Sequence, residues 1–199
     1  PLFKRAIAIL EKTAGLDSPE IAAALNNLAA LYQRQQRYPE AEPLFRRALA
    51  VREKSLRGDH PDVAQALNNL ATLYEKLGRH GDSEPLFKRA LAIYEKTAGP
   101  EHPAVATLLN NLGQTGKVQG RYAEAEPRIR RSLAIREKVL GSEHPDVARS
   151  LNNLADLYER QGRYAEAEPL FVRALTIRER AVGPDHPDTA ASTNNLASF

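Results

Sequence analysis

Two adjacent asparagines recur five times along this 199-residue chain, at Asn26-Asn27, Asn68-Asn69, Asn110-Asn111, Asn152-Asn153 and Asn194-Asn195. A carboxamide carries two donors and an acceptor. That chemistry suits gripping the backbone of an extended peptide, and equally bonding a neighbouring helix. A second set is His-Pro-Asp at His60, His144 and His186, with His102-Pro103-Ala104 as a fourth copy; imidazole and carboxylate together could ligate a metal. A third set is the carboxylate pairs Glu40/Glu42, Glu124/Glu126 and Glu166/Glu168, the residue type needed for general acid–base work. The fourth is the arginine pairs Arg46-Arg47 and Arg130-Arg131, which could meet an anion.

What these groups can do depends on the elements that carry them. Each Asn-Asn-Leu triplet follows the last by 42 residues, without insertion or deletion. Pro1, Pro43, Pro85, Pro127 and Pro169 keep the same step, and so do Pro19, Pro61, Pro103, Pro145 and Pro187. A fixed period of this size is the mark of stacked supersecondary units, none of which can bury its apolar face alone. Each unit reads as two helices. Pro61 suits a first helical position, where its missing N–H is not needed, and Asp62 favours the positive end of the helix dipole. Val63, Leu67, Leu70 and Tyr74 then form one stripe, and Gly78 ends the helix. The second helix places Phe87, Ala90, Leu91 and Tyr94 inward, and Gly99 ends it. Gly15, Gly141 and Gly183 mark the same stop elsewhere.

With the two types named A and B, the order is B 1–14, A 19–36, B 39–56, A 61–77, B 81–98, A 103–119, B 123–140, A 145–161, B 165–182 and A 187–199. Connections this short make neighbouring helices antiparallel. The predicted fold class is all-α: a right-handed superhelical solenoid of antiparallel helix pairs. The domain reading is one solenoid over 1–199, with a partial B helix, four repeats (19–56, 61–98, 103–140, 145–182) and a partial A helix. A chain that opens inside a repeat and holds no Met reads as a fragment of a longer array.

These elements dispose of most of the catalytic possibilities. The His-Pro-Asp copies are a helix start and lie whole repeats apart, so they do not converge on a tetrahedral metal site; the same tripeptide in J-domain cochaperones is a coincidence of helix-start geometry. Carboxylates two residues apart on a helix diverge by about 200°, and the helix dipole accounts for their place near a helix start. The arginine pairs fall on the outer, wet face of B helices. The chain has no Cys, hence neither disulfide nor thiolate chemistry, which fits a reducing compartment such as the cytoplasm. No phosphate loop or Ser-His-Asp signature is present. The formal net charge of +3, from 28 basic and 25 acidic residues, is not the concentrated field of a nucleic-acid binder. No apolar run reaches the roughly 18 residues that span a bilayer. No enzyme activity, cofactor, nucleic-acid partner or membrane partner is expected.

The pattern Leu67-Asn68-Asn69-Leu70-Ala71, Tyr74 and Gly78, continued by Ala41, Phe45 and Ala48 in a B helix, resembles the tetratricopeptide repeat. The longer units, with His-Pro-Asp-Val-Ala, Gly-Arg-Tyr and Ala-Glu-Pro-Leu, are most similar to the repeats of kinesin light chains and their bacterial relatives. The resemblance implies a concave groove lined by A helices, in which the second Asn of each pair holds a peptide or carboxylate. The candidate groove residues are therefore Asn27, Asn69, Asn111, Asn153 and Asn195 first, then Asn26, Asn68, Asn110 and Asn152. One of these columns could instead bond the adjacent helix and set the stacking angle. Selectivity is assigned to columns that vary: Ala23, Gln65, Thr107, Arg149 and Ala191; Ala30, Thr72, Gln114, Asp156 and Ser198; and Arg34, Lys76, Val118 and Arg160. They make the groove mildly basic, so the expected partner is a protein or peptide with an acidic segment. Kinesin light chains bind peptides with Trp flanked by acids. A protein-interaction scaffold is the leading function; a sensor array governing an effector domain in the same chain is the alternative.

One repeat departs from the rest. Leu112-Gly113-Gln114-Thr115-Gly116-Lys117 stands where neighbours carry Ala, Leu and Tyr, and Arg128 replaces Leu44, Leu86 and Leu170. Each Gly costs about 1 kcal/mol of helix propensity, and an unfilled Tyr site costs ~3 kcal/mol more. A soft spot, a bend or an inserted side chain is expected there. The terminal helices 1–14 and 187–199 each expose an apolar face, so head-to-tail self-association through them is also expected.

Overall fold

A computed structural model describes residues 2–15 and 17–197 of the chain. Pro1, Leu16, Ser198 and Phe199 lie outside the described residues, and with them Pro1 of the proline column and Ser198 of the variable column. All regular structure among the described residues is helical, in two compact units, Pro1–Gly99 and Pro100–Phe199. The first holds α1 (Leu2–Thr13), α2 (Pro19–Arg34), α3 (Tyr38–Ser55), α4 (Pro61–Lys76) and α5 (His80–Ala98). The second holds α6 (Pro103–Val118), α7 (Tyr122–Leu140), α8 (Pro145–Arg160), α9 (Tyr164–Val182) and α10 (Pro187–Ala197). Within each unit a helix packs on its neighbours in sequence, the A helices being α2, α4, α6, α8 and α10.

The A helices begin on a side-chain cap. His60 Nδ1 accepts the backbone N–H of Asp62 at 3.1 Å, and His102, His144 and His186 treat Ala104, Asp146 and Asp188 the same way at 3.1–3.2 Å. An imidazole thus does what Ser18 does for α2, where Oγ accepts from the Ile21 N–H at 3.4 Å. Each cap satisfies one of the N–H groups that a helix start leaves without an internal partner. After α4, α6 and α8 the chain turns through a left-handed residue, Gly78, Gly120 or Gly162; after α2 that residue is Gln36, with φ of 59°. A Cβ makes this conformation costly for any residue but glycine.

Val63, Leu67, Leu70 and Tyr74 are buried, and so are Phe87 and Ala90. Leu91 and Tyr94 are only half-buried, and Ile93 and Ser83 occupy the inner stripe of α5 instead. Spacings of four, three and three from Ser83 through Phe87 and Ala90 to Ile93 hold one face toward α4, which leaves Leu91 and Tyr94 to one side. Within each helix pair the B helix is tied to the loop that precedes its A helix by an ion pair, Lys96–Asp59 at 2.5 Å, Lys138–Glu101 at 2.6 Å and Arg180–Glu143 at 3.0 Å. These are exposed and worth little singly. Two arginines of the B helices are buried: Arg52 donates to the Asp62 carbonyl at 2.9 Å, and Arg136 to the Ser150 hydroxyl. Burial, with the nearby charge of Arg149, pushes the Arg136 guanidinium down to about 10, so it is still a cation at neutral pH. No helix among the described residues is long and apolar enough to cross a membrane.

The irregular repeat is an unbroken helix: α6 runs through both Gly113 and Gly116, and both are buried. A Cβ on Gly113 would lie 2.4 Å from Ile129 Cγ1. The branched Ile129, in the column of Phe45, Phe87 and Phe171, thus uses the volume that the missing methyl leaves.

Candidate functional site

The two asparagine columns meet each other. Asn69 Nδ2 of α4 donates to Asn26 Oδ1 of α2 at 2.7 Å, and Asn153 Nδ2 of α8 donates to Asn110 Oδ1 of α6 at 2.7 Å. The second Asn of one repeat thus bonds the first Asn of the repeat before it, forming a rung between successive A helices. A rung uses one donor and one acceptor, so each amide keeps hydrogen-bonding capacity. In the first column Asn26 and Asn68 are half-buried, Asn110 and Asn152 are 7% and 8% exposed, and Asn194 is exposed. In the second column Asn27 and Asn195 are exposed, and Asn69, Asn111 and Asn153 are half-buried.

The other candidates divide by unit. In the first, Gln65 and Lys76 are exposed on the A face, while the Thr72 hydroxyl turns back to the Asn68 carbonyl of its own helix at 2.8 Å. In the second, Arg149 pairs with Asp146 at 3.1 Å, and Asp156 is shared by Arg160 at 2.9 Å and by Lys117. Burial pushes the Asp156 carboxyl upward, but the hydrogen bonds and charges of Lys117 and Arg160 outweigh it and hold the group below its ordinary range. Gln114 Nε2 and Asn152 Oδ1 are buried without a hydrogen-bond partner. Lys117, 7% exposed, belongs to this cluster and was not among the residues singled out by sequence. The signal was a charge reversal in its column, which reads Gln33, Glu75, Lys117 and Glu159.

The carboxylate pairs diverge, but the helix dipole alone does not explain them. Glu40 stays outside on Arg37 at 2.9 Å. Glu42 points inward and accepts from Arg79 at 3.0 Å, Arg46 at 2.8 Å and the Tyr74 hydroxyl at 3.3 Å. Glu126 repeats the arrangement with Arg163 at 2.6 Å, Arg130 at 2.9 Å and Tyr158 at 3.0 Å. Arg79 and Arg163 also stack over those tyrosine rings, at 4.2 and 3.9 Å. Burial raises both glutamates, yet the arginine hydrogen bonds and charges leave both below the ordinary range. Arg46 and Arg130, though exposed, are therefore parts of a clamp between repeats. These side chains join one helix pair to the next.

Antiparallel helix pairs with capped A helices, laddered by asparagines, define a helical-repeat protein. The model of the family described as "Tetratricopeptide repeat" matches residues 1–54, 20–96, 62–115, 117–180 and 152–198, and the chain belongs to that family. Its repeats are of the kinesin-light-chain type. Among solved structures it is similar to BtubC (BKLC) from P. vanneervenii, with a TM-score of 0.82 and 27% identity over 98% of this chain and 78% of the other. It is also similar to a putative kinesin light chain of Podosopora anserina with nearly identical TPR-like repeats, with a TM-score of 0.77 and 29% identity over 91% and 86%. Aspartyl phosphate phosphatase F from Bacillus subtilis, at 17% identity over 98% of this chain and 54% of that one, shares the fold with a TM-score of 0.76. No curated protein matches the sequence. Proteins of this family are in general interaction scaffolds, not enzymes.

Proposed function

We propose that the A-helix face holds an extended or helical segment of a partner protein, its backbone met by the asparagine columns and its side chains by the residues that vary between repeats. The observation that carries this reading is the rung itself. Asparagine is a mediocre residue for a helix interior, and pairing of Asn69 with Asn26 uses only part of its capacity, leaving a row of amide groups along one face. In the first unit the exposed cations Arg34 and Lys76 lie on that face; they favour an acidic segment of the ligand there. For self-association through α1 and α10, α10 offers a mostly polar surface, with Thr189 and Ser192 as its buried residues.

A peptide array tests the proposal. Wild type, the double variant Arg34→Glu/Lys76→Glu and the double variant Asn69→Ala/Asn111→Ala are exposed to the same immobilised peptides, with thermal melts as the folding control. Loss of acidic peptides with the charge variant, and of capture in general with the asparagine variant, is the expected result. Identical capture patterns for all three folded proteins would remove the A face as the binding surface.

A further inference from the structure

The cations of the A helices meet different fates in the two units. In the first, Arg34 of α2 and Lys76 of α4 are exposed and make no side-chain hydrogen bond or ion pair among the described residues. Glu75, beside Lys76, is turned to His80 Nδ1 at 3.1 Å and to the Ser83 hydroxyl. In the second unit each such cation carries a carboxylate of the protein itself. Arg149 is paired with Asp146 at 3.1 Å, Arg160 with Asp156 at 2.9 Å, and Lys117 of α6 with the same Asp156.

Asp156 makes most of this difference. Its column reads Ala30, Thr72, Gln114, Asp156 and Ser198, with no other charge in it. It stands one helical turn before Arg160, as Thr72 stands before Lys76, and the Thr72 hydroxyl is spent on the Asn68 carbonyl at 2.8 Å. An exposed pair at that spacing is weak by itself. Lys117 supplies the anchor. Its side chain is 7% exposed, and a buried ammonium that lost its carboxylate would be left as an uncompensated charge. The Asp156 side chain is 34% exposed, so it covers Lys117 while still facing solvent. A carboxylate held there by the fold has an effective concentration above that of a free peptide.

We propose that Asp156 is a built-in competitor for the acidic part of a bound segment. It occupies Lys117 and Arg160 in place of a ligand carboxylate, so an acidic segment is received by Arg34 and Lys76 and refused by the second unit. The proposal rests on the segment-binding reading and adds to it which cations are open. A carboxylate arriving at α8 meets like charge from Asp156 and, three residues on, from half-buried Glu159. One arriving at α4 meets Lys76 beside a neutral hydroxyl.

The test is a titration of ¹⁵N-labelled protein at low salt with tetraglutamate blocked by N-acetyl and C-terminal amide groups, and with blocked tetraglutamine as the neutral control. The wild type should show saturable shifts of the Arg34 and Lys76 backbone amides with tetraglutamate alone, and none at Arg160. Asp156→Asn keeps an oxygen for Lys117 but removes the charge, and should add a saturable shift at Lys117 and Arg160. The reciprocal change Thr72→Asp puts a carboxylate one turn before Lys76 and should weaken binding there about fivefold, the upper range for an exposed ion pair. It decides the matter if Asp156→Asn does not fold. A folded Asp156→Asn with no shift at Lys117 or Arg160, wild-type binding at Arg160, or undiminished affinity in Thr72→Asp would overturn the proposal. A new site at Arg160 in Asp156→Asn, with no wild-type binding at Arg34 and Lys76, would support the competitor and count against the acidic-segment reading alone.

Discussion

The pair α4–α5 and the pair α6–α7 solve one packing problem with different residues. In the first, Ala71, Tyr74 and Phe87 fill the interface, and Glu75 serves the helix that follows. In the second, the same columns hold Gly113, Gly116, Ile129 and Lys117. Each substitution loses volume or reverses a charge, yet α6 is continuous and its glycines are buried. A β-branched side chain answers a missing methyl, and a buried lysine finds Asp156 on α8. Repeat columns are therefore coupled: a residue out of pattern is tolerated when its contact partner has changed too.

The strongest way to break this comparison is at the ion pair. Asp156→Ala strands the buried Lys117 ammonium; removing one partner of a fully buried pair costs about 3–5 kcal/mol, and the partial exposure of Asp156 brings the expected loss to about 2 kcal/mol. Denaturant titration measures it. Acid sharpens the test. Asp156 titrates below its unfolded value of roughly 3.9, so its stabilisation is complete above about pH 4 and disappears as pH falls through the folded value. Asp156→Asn should lose less stability than wild type on acidification, though not none, because Glu42 and Glu126 are depressed in the same sense.

Gly113→Ala comes next. Helix propensity gains about 1 kcal/mol, but overpacking against Ile129 costs about 1–3 kcal/mol, for an expected net loss of about 1 kcal/mol. Adding Ile129→Phe restores the residues of α4–α5, and its ring turns away on a single γ carbon. The double variant should melt above Gly113→Ala, and a lower melt would show that the two columns are not coupled. A double-mutant cycle on Asn26 and Asn69 should give a coupling of about 0.5–1 kcal/mol; zero coupling would reduce the rung to mere proximity. The smallest effect extends the comparison to the end of α2. Gln36→Gly supplies the residue that Gly78 provides after α4 and should stabilise by about 0.5 kcal/mol, read as a small rise in melting temperature.

Much of the fold was legible because it is local. The proline starts, the glycine stops and the apolar stripes each act through residues within a few turns of one another, the 42-residue step merely repeats them, and caps such as His60 on Asp62 span two residues. The Asn columns were legible as a pattern but not as a rung, since Asn69 and Asn26 are 43 residues apart. Glu42 was read from its place near a helix start, and its partners Tyr74 and Arg79 lie 32 and 37 residues away. The half-burial of Leu91 and Tyr94 was missed for a related reason, because a spacing of four and one of three both satisfy a helical stripe.

The sequence by itself determined the class of protein, the helix pairs and the face that carries the asparagines, because helical periodicity and capping are set by near neighbours. Only the tertiary structure decided which polar groups find each other. Whether an amide meets a carbonyl depends on the approach of helices a repeat apart and on the rotamer each allows. That is why Asn110 receives a donor from Asn153 while the identical Asn152 does not, and why Glu75 is satisfied while Glu159 is left open.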